Sequence, residues 1–216
     1  MQTITLRLTR HLVLFCLVAT AGCDWFAGTG SQPGASSATS GAGVAQDELH
    51  PQVRISTTLG DVVVRLDAEH APLTVENFLA YADEGHYNGT IFHQVVPDFV
   101  AIGGGFREDL VERPVRGPVR NEAHNGLKNS RGTIAMARQA EIIDSATSPF
   151  FFNLADNGSL DHHGRDASDY GYCVFGQVIG GSEIIEALSH TPVADRGEFQ
   201  QLPVTPVAIK SVTRLR

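Results

Sequence analysis

Cysteine is scarce in this chain. Cys16, Cys23 and Cys173 share no zinc-ligand spacing and are too few for a disulfide framework. Basic charge is in the minority, with 16 Lys and Arg against 24 Asp and Glu, so no basic stripe is available for reading phosphates and nucleic acid is excluded as a partner. No apolar run approaches the ~20 residues that cross a bilayer. Gly-x-Ser-x-Gly, the nucleophile elbow, does not occur, and no cysteine sits where a nucleophile is expected. Gly103-Gly104-Gly105 is not followed by Lys-Ser/Thr and opens no helix, so it reads as a turn or bulge where backbones approach closely rather than a phosphate loop. His162-His163 beside Asp161 lacks a further ligand at helical spacing, and adjacent histidines point apart on most backbones. The pair reads as a solvated loop, with no metal site.

What the chain does have is enough apolar material for a core. Hydrophobic residues make up 42% of its 216 positions, which excludes a disordered or collagen-like chain. The first 11 residues carry Arg7, Arg10 and His11 without an acid, and the apolar run Leu12 to Ala19 follows. That is the layout of a secretory signal peptide, residues 1–22. Two processing routes fit. Ala19-Thr20-Ala21 has the small-x-small form cut by an ordinary signal peptidase, which releases a soluble periplasmic protein. Ala21-Gly22-Cys23 resembles a bacterial lipobox, in which Cys23 is acylated and becomes the new N-terminus, although Thr20 stands where that pattern usually has Leu.

The lipid anchor is preferred because a tether follows directly, and Asp24 then resembles an inner-membrane retention signal. From Ala27 to Gln46 the chain is uncharged and rich in Gly, Ala, Ser and Thr. Such a segment cannot bury enough apolar surface to offset its ordering entropy, so residues 23–49 are expected to be a flexible tether spanning roughly 25–30 Å. Removal of residues 1–22, which hold two Arg and no acid, takes the net charge from −8 to −10. Residues 50–216 form the single folded domain.

Within that domain Val53, Ile55, Thr57 and Leu59 alternate, and so do Val62, Val64 and Leu66 after Gly60-Asp61, which predicts a β-hairpin. Val75, Phe78, Leu79 and Ala82 recur at helical spacing behind Thr74 as N-cap, with Gly85 as the left-handed stop. Short β-runs are expected at 90–96, 99–102, 132–137, 150–154 and 173–179, a second helix at 182–189 capped by Ser182, and a last β-rich run over 204–215. Many short strands with two short helices point to an all-β barrel or sandwich.

Further order comes from Phe92-His93-Gln94-Val95-Val96-Pro97-Asp98-Phe99, Gly103-Gly104-Gly105-Phe106, Ile134-Ala135-Met136-Ala137, Ser148-Pro149-Phe150-Phe151, Leu160-Asp161 and Val174-Phe175-Gly176. In this order and spacing they closely resemble the cyclophilin family of peptidyl-prolyl isomerases. Asn121-Glu122-Ala123, Asn125-Gly126-Leu127, Arg131-Gly132-Thr133 and Asp144 to Ser148 are similar to its periplasmic bacterial branch. The resemblance implies a closed eight-stranded antiparallel β-barrel capped by two helices, active on Xaa-Pro bonds of proline-containing peptides or unfolded polypeptides. A monomer that needs no cofactor and meets a membrane only through the Cys23 anchor is expected.

Carried over residue by residue, the proline pocket comprises Phe99, Met136, Phe151 and Leu160. Ile102, Ala137 and Tyr172 lie along the groove, and His93 lines its edge. The position of the family's catalytic Arg is Gln94. Ile102 and Pro149 stand where the family has Gln, and Ser159 where it has an aromatic. Arg138, at the groove wall, is read as a surface residue, with a relocated catalytic cation as the alternative. The pocket survives while four groups that grip the peptide are changed, so two outcomes are expected: an isomerase of reduced activity, or a non-catalytic proline-peptide-binding chaperone or interaction module.

Overall fold

The computed structural model describes residues 48–215. The expected signal peptide, Cys23 and nearly all of the expected tether fall on residues 1–47, outside the described residues.

The two alternating runs at the start form the expected hairpin, β1 (Gln52–Thr57) and β2 (Asp61–Leu66). Gly60, at φ +139, makes the turn in a conformation that L side chains rarely adopt. Helix α1 (Pro72–Asp83) buries Val75, Phe78, Leu79 and Ala82 on one face. Its start differs from expectation. Pro72 occupies the first turn and Ala71 the cap, while Thr74 lies inside the helix. The orphan N–H groups of Leu73 and Thr74 are taken instead by the Glu122 carboxylate, at 3.2 and 2.9 Å, and the Thr74 hydroxyl also donates to it at 2.7 Å. A cap supplied from 48 residues away leaves no local signal.

Strands β3 (Thr90–Val96), β4 (Val100–Arg107), β5 (Thr133–Met136), β6 (Phe150–Asn153) and β7 (Val174–Gly180) follow. Helix α2 (Ser182–Ser189) is capped by Gly181 rather than Ser182. The chain continues through β8 (Val193–Arg196) and β9 (Phe199–Pro203), a hairpin absent from the sequence reading, and ends in β10 (Ala208–Leu215). Eight of these strands close into an antiparallel barrel in the order β1-β10-β3-β4-β6-β5-β7-β2, and β8 and β9 form a separate two-stranded sheet.

The barrel interior holds Phe78, Tyr87, Phe92, Phe150, Phe152 and Phe175, all essentially inaccessible to water. Phe150 meets Phe78 and Tyr87 edge-on, with ring centres 5.6 and 5.4 Å apart. Gly104, at φ +85, lies under this stack. A Cβ there would come within 2.9 Å of the Tyr87 ring and 3.0 Å of the Phe150 ring, so the close approach at Gly104 is to aromatic side chains rather than to another backbone. Cys173 is a buried core residue whose thiol is pushed up to about 12 by burial, which leaves it unreactive at neutral pH.

Candidate active site on the outer barrel face

Alternation along β4, β5 and β6 divides the apolar side chains between two clusters. Ala101, Ile134, Met136, Phe150 and Phe152 belong to the interior. Val100, Ala135 and Phe151 form a second cluster with Val174, and Val96, Phe99, Ile102, Leu127, Ala137, Leu160 and Tyr172 pack against it. Because successive side chains of a strand point to opposite faces, this second cluster lies on the outside of the barrel. Cross-strand register makes it a row: Gln94 pairs with Ile102, Ile102 with Phe151, Phe151 with Ala135, and Ala135 with Val174.

The register also corrects one expectation. Met136 pairs with the interior Phe150, is 2% exposed, and belongs to the core. It cannot offer a surface to a ligand from there, and Ala137, one residue on, supplies the outer wall instead. The other expected pocket residues, Phe99, Phe151 and Leu160, are brought together, with Ile102, Ala137 and Tyr172 beside them. Phe151 and Tyr172 meet edge-on at 5.7 Å. Phe99 is delivered by a tight turn in which its N–H donates to the Val96 carbonyl at 3.1 Å. Asp98 in that turn has φ +54, a position that favours glycine.

Two irregularities in the β3–β4 ladder aim His93 and Gln94. Phe92 pairs with Gly103 and Gln94 with Ile102, which leaves His93 as an unpaired extra residue. Across from it Gly104 and Gly105 are extra on β4, between the partners of Ile91 and Phe92. Phe92 and Val95 both face the core although they are three residues apart, so the two positions between them are both freed from it. Gln94 is half-buried, and its side-chain amide makes no hydrogen bond among the described residues. The His93 ring packs edge-on against Phe106 at 4.7 Å, with Nδ1 buried and unpartnered among the described residues. Burial lowers its pKa to about 4 against a smaller opposing contact with the Ile91 backbone, so the ring is neutral at physiological pH.

Arg138 is neither the expected surface residue nor a free groove cation. It is 9% exposed. Its Nε donates to the Gly171 carbonyl at 2.9 Å, Nη1 to those of Gln139 and Ala140 at 2.9 and 2.8 Å, and Nη2 to that of Ala167 at 2.7 Å. Its guanidinium also stacks over the Tyr172 ring at 4.9 Å. With four N–H bonds committed to backbone oxygens, Arg138 ties the loops behind Tyr172 together and has little left for a substrate.

The remaining changed positions surround the row. Pro149 is the group that a Cβ at Gly105 would meet, at 3.0 Å, and Ser159 is exposed in a 3-10 turn over Gly158–Leu160. His162 Nδ1 bonds the Tyr170 carbonyl and His163 Nε2 the Gly158 carbonyl, each at 2.8 Å. Among the described residues no three His, Cys, Asp or Glu side chains converge on a point where an ion could sit.

An eight-stranded barrel carrying this outer row is matched by known proteins over nearly all of the described chain. The family described as cyclophilin type peptidyl-prolyl cis-trans isomerase/CLD matches residues 52–214. The chain belongs to the cyclophilin-type peptidyl-prolyl cis-trans isomerases. This cyclophilin is 47% identical over 159 residues to peptidyl-prolyl cis-trans isomerase A of Dickeya dadantii, covering 74% of the chain and 82% of the relative. It is 42% identical over 161 residues to peptidyl-prolyl cis-trans isomerase B of Escherichia coli, covering 74% of the chain and 98% of the relative. Among solved structures, a Cryptosporidium parvum cyclophilin-type isomerase superimposes with a TM-score of 0.64 at 26% identity, over 77% of this chain and 98% of that one. The same protein in the presence of the dipeptide Ala-Pro gives a TM-score of 0.62 at 25% identity, over 76% and 99%.

Proposed function

We propose that this cyclophilin isomerises Xaa-Pro bonds of periplasmic polypeptides at a reduced rate, and that Gln94 in place of arginine is the reason. The prolyl ring enters the outer slot formed by Phe99, Phe151, Leu160, Ala137 and Tyr172. Chemistry at a prolyl bond is a rotation opposed by ~18–20 kcal/mol of amide resonance, and whatever localises the nitrogen lone pair lowers that barrier. An apolar slot strips water from the ring, and a donor aimed at the imide nitrogen stabilises the pyramidal nitrogen of the twisted state. No covalent step is required.

The observation that carries this reading is the row itself. Gln94 stands two strands from Phe151 in continuous register, with an uncommitted amide. At ~4.8 Å per strand that separation is roughly 10 Å, within reach of long side chains acting on one bound dipeptide. The related structure determined with Ala-Pro supports a proline-containing ligand. A neutral donor contributes ~0.5–1.5 kcal/mol where a charged one contributes ~1.5–3, so the same geometry works more weakly. The second reading, a binder that does not catalyse, is favoured by the simultaneous change at Gln94, Ile102, Pro149 and Ser159, which strips the peptide's grips and leaves its slot.

NMR exchange spectroscopy on an Xaa-Pro peptide separates the two. Cis–trans exchange faster than in free peptide supports a slow isomerase, binding without faster exchange supports the module, and no shift change on titration refutes both. The address belongs to the same proposal: acylation at Cys23, with Asp24 favouring the inner membrane, against a soluble form cut after Ala21. Mass spectrometry of the mature N-terminus distinguishes an acylated Cys23 from a free Gly22.

A further inference from the structure

Three walls of the slot come from separate stretches of chain, and all three lean on one buried line of amides. Asn157 Nδ2 donates to the Phe99 carbonyl at 2.8 Å and to Asn153 Oδ1 at 2.8 Å. Asn153 Nδ2 in turn donates to Asn129 Oδ1 at 3.1 Å and to the Thr133 hydroxyl at 2.9 Å. Asn129 Nδ2 then reaches the carbonyls of Leu160 at 3.0 Å and Tyr172 at 3.3 Å. The three asparagines are 6%, 0% and 2% exposed in the order named.

We infer that Asn157, Asn153 and Asn129 form one positioning relay that sets the spacing between Phe99, Leu160 and Tyr172, and with it the fit of the proline slot. The inference rests on reading that slot as the substrate site. Its warrant is where the bonds end. The Phe99 carbonyl already accepts from the Leu154 N–H at 2.8 Å, and the Leu160 carbonyl from the Tyr172 N–H at 2.9 Å. At Phe99 and Leu160 the amides therefore add second bonds to carbonyls that are satisfied without them, which restrains position rather than rescuing an orphan. They also link sites 58 and 31 residues apart in sequence. Within the low-dielectric interior each bond polarises the next, so the line behaves as a unit. Asp161 anchors its far end, where Oδ1 accepts the Asn129 N–H at 2.7 Å and its side-chain amide at 3.2 Å.

A wall that moves weakens ground state and transition state alike, so the relay is predicted to act on KM more than on kcat. The test compares exchange of an Xaa-Pro peptide over a range of peptide concentrations for wild type, Asn157→Ala, Asn157→Asp and Phe151→Ala. Asn157→Asp keeps the shape and removes both N–H donors. Both Asn157 variants are expected to stay folded and raise KM by roughly five-fold or more with kcat within about two-fold, and to shift the Tyr172 amide resonance at the other end of the line. Should Asn157→Ala unfold, the Asp variant carries the test, and unfolding of both overturns the inference because the amides would then hold the fold and not the slot. A folded Asn157 variant with KM unchanged, while Phe151→Ala raises it, overturns the relay and leaves the slot standing. An unchanged KM in Phe151→Ala overturns the slot itself.

Discussion

Restoring the missing charge is the sharpest perturbation this groove allows. Gln94 is half-buried at the end of a row whose other members are apolar, and its amide has no partner among the described residues to be broken by substitution. Gln94→Arg therefore replaces a neutral donor by a charged one at little structural cost, since the aliphatic stem can lie along Ile102 with the guanidinium toward water and substrate. The difference between a neutral and a charged hydrogen bond is about 1–2 kcal/mol. At about 1.36 kcal/mol per factor of ten, that gives roughly five- to thirty-fold in rate. The planar fork of arginine can add to this by presenting two donors at once. Ile102 lies directly opposite, so adding Ile102→Gln gives the new guanidinium a partner and is expected to increase the gain further. Two-dimensional exchange spectroscopy on an Xaa-Pro peptide, with kcat and KM separated by varying peptide, is the assay. A kcat that rises with KM nearly constant supports the account. A folded Gln94→Arg protein that turns over no faster than wild type refutes the claim that the donor limits the reaction.

Arg138→Lys keeps the charge but offers three donors from a single nitrogen in place of the fork, and four backbone carbonyls lose their geometry. A loss of about 2–3 kcal/mol in unfolding free energy, read by denaturant titration, is expected, and an unchanged midpoint would show that the loops stand without the strut. His93 has a folded pKa of about 4 against an ordinary 6.5, so its unfolded form binds the proton first. Stability is complete above pH 6.5 and falls as the pH drops toward 4, by up to about 3 kcal/mol, whereas His93→Phe flattens that part of the profile. Asp161 acts in a lower window. Burial opposes its ionisation, but the Asn129 N–H and side-chain amide, joined by Lys128, outweigh burial and hold the carboxyl below its ordinary 3.8. Its contribution is present above pH 3.8 and is lost on further acidification, a loss that Asp161→Asn removes.

Much of the barrel was legible because burial imposes a period of two. Val53, Ile55, Val62 and Val64 announce the first hairpin, and each is fully buried. The same period, applied strictly, places Met136 inside with Ile134 and Phe150, and family likeness alone had put it in the pocket. The β3 bulge was not legible, because it faces a glycine run whose close neighbours, Tyr87 and Phe150, come from other segments of the chain. The β8–β9 hairpin escaped for the opposite reason. Ala194, Asp195 and Arg196 are exposed, so no alternation marks them. Arg138 looked like any charged loop residue, since its four carbonyl partners include two about 30 residues away. The asparagine line is the extreme case. Nothing near Asn129 or Asn157 in the sequence distinguishes a buried relay from turn residues, and only the fold brings them together.

The central claim is that a prolyl ring binds on the outer face, against Phe151, with Gln94 at the far end of the same row. Intermolecular nuclear Overhauser effects between the ring protons of a bound Xaa-Pro peptide and assigned side chains of the protein test it most directly. The account predicts contacts to Phe99, Phe151, Leu160 and Ala137 and none to Met136. Ring contacts at any other surface, such as the cleft between α1 and the chain end around Leu79 and Leu215, with none to Phe151, would contradict it.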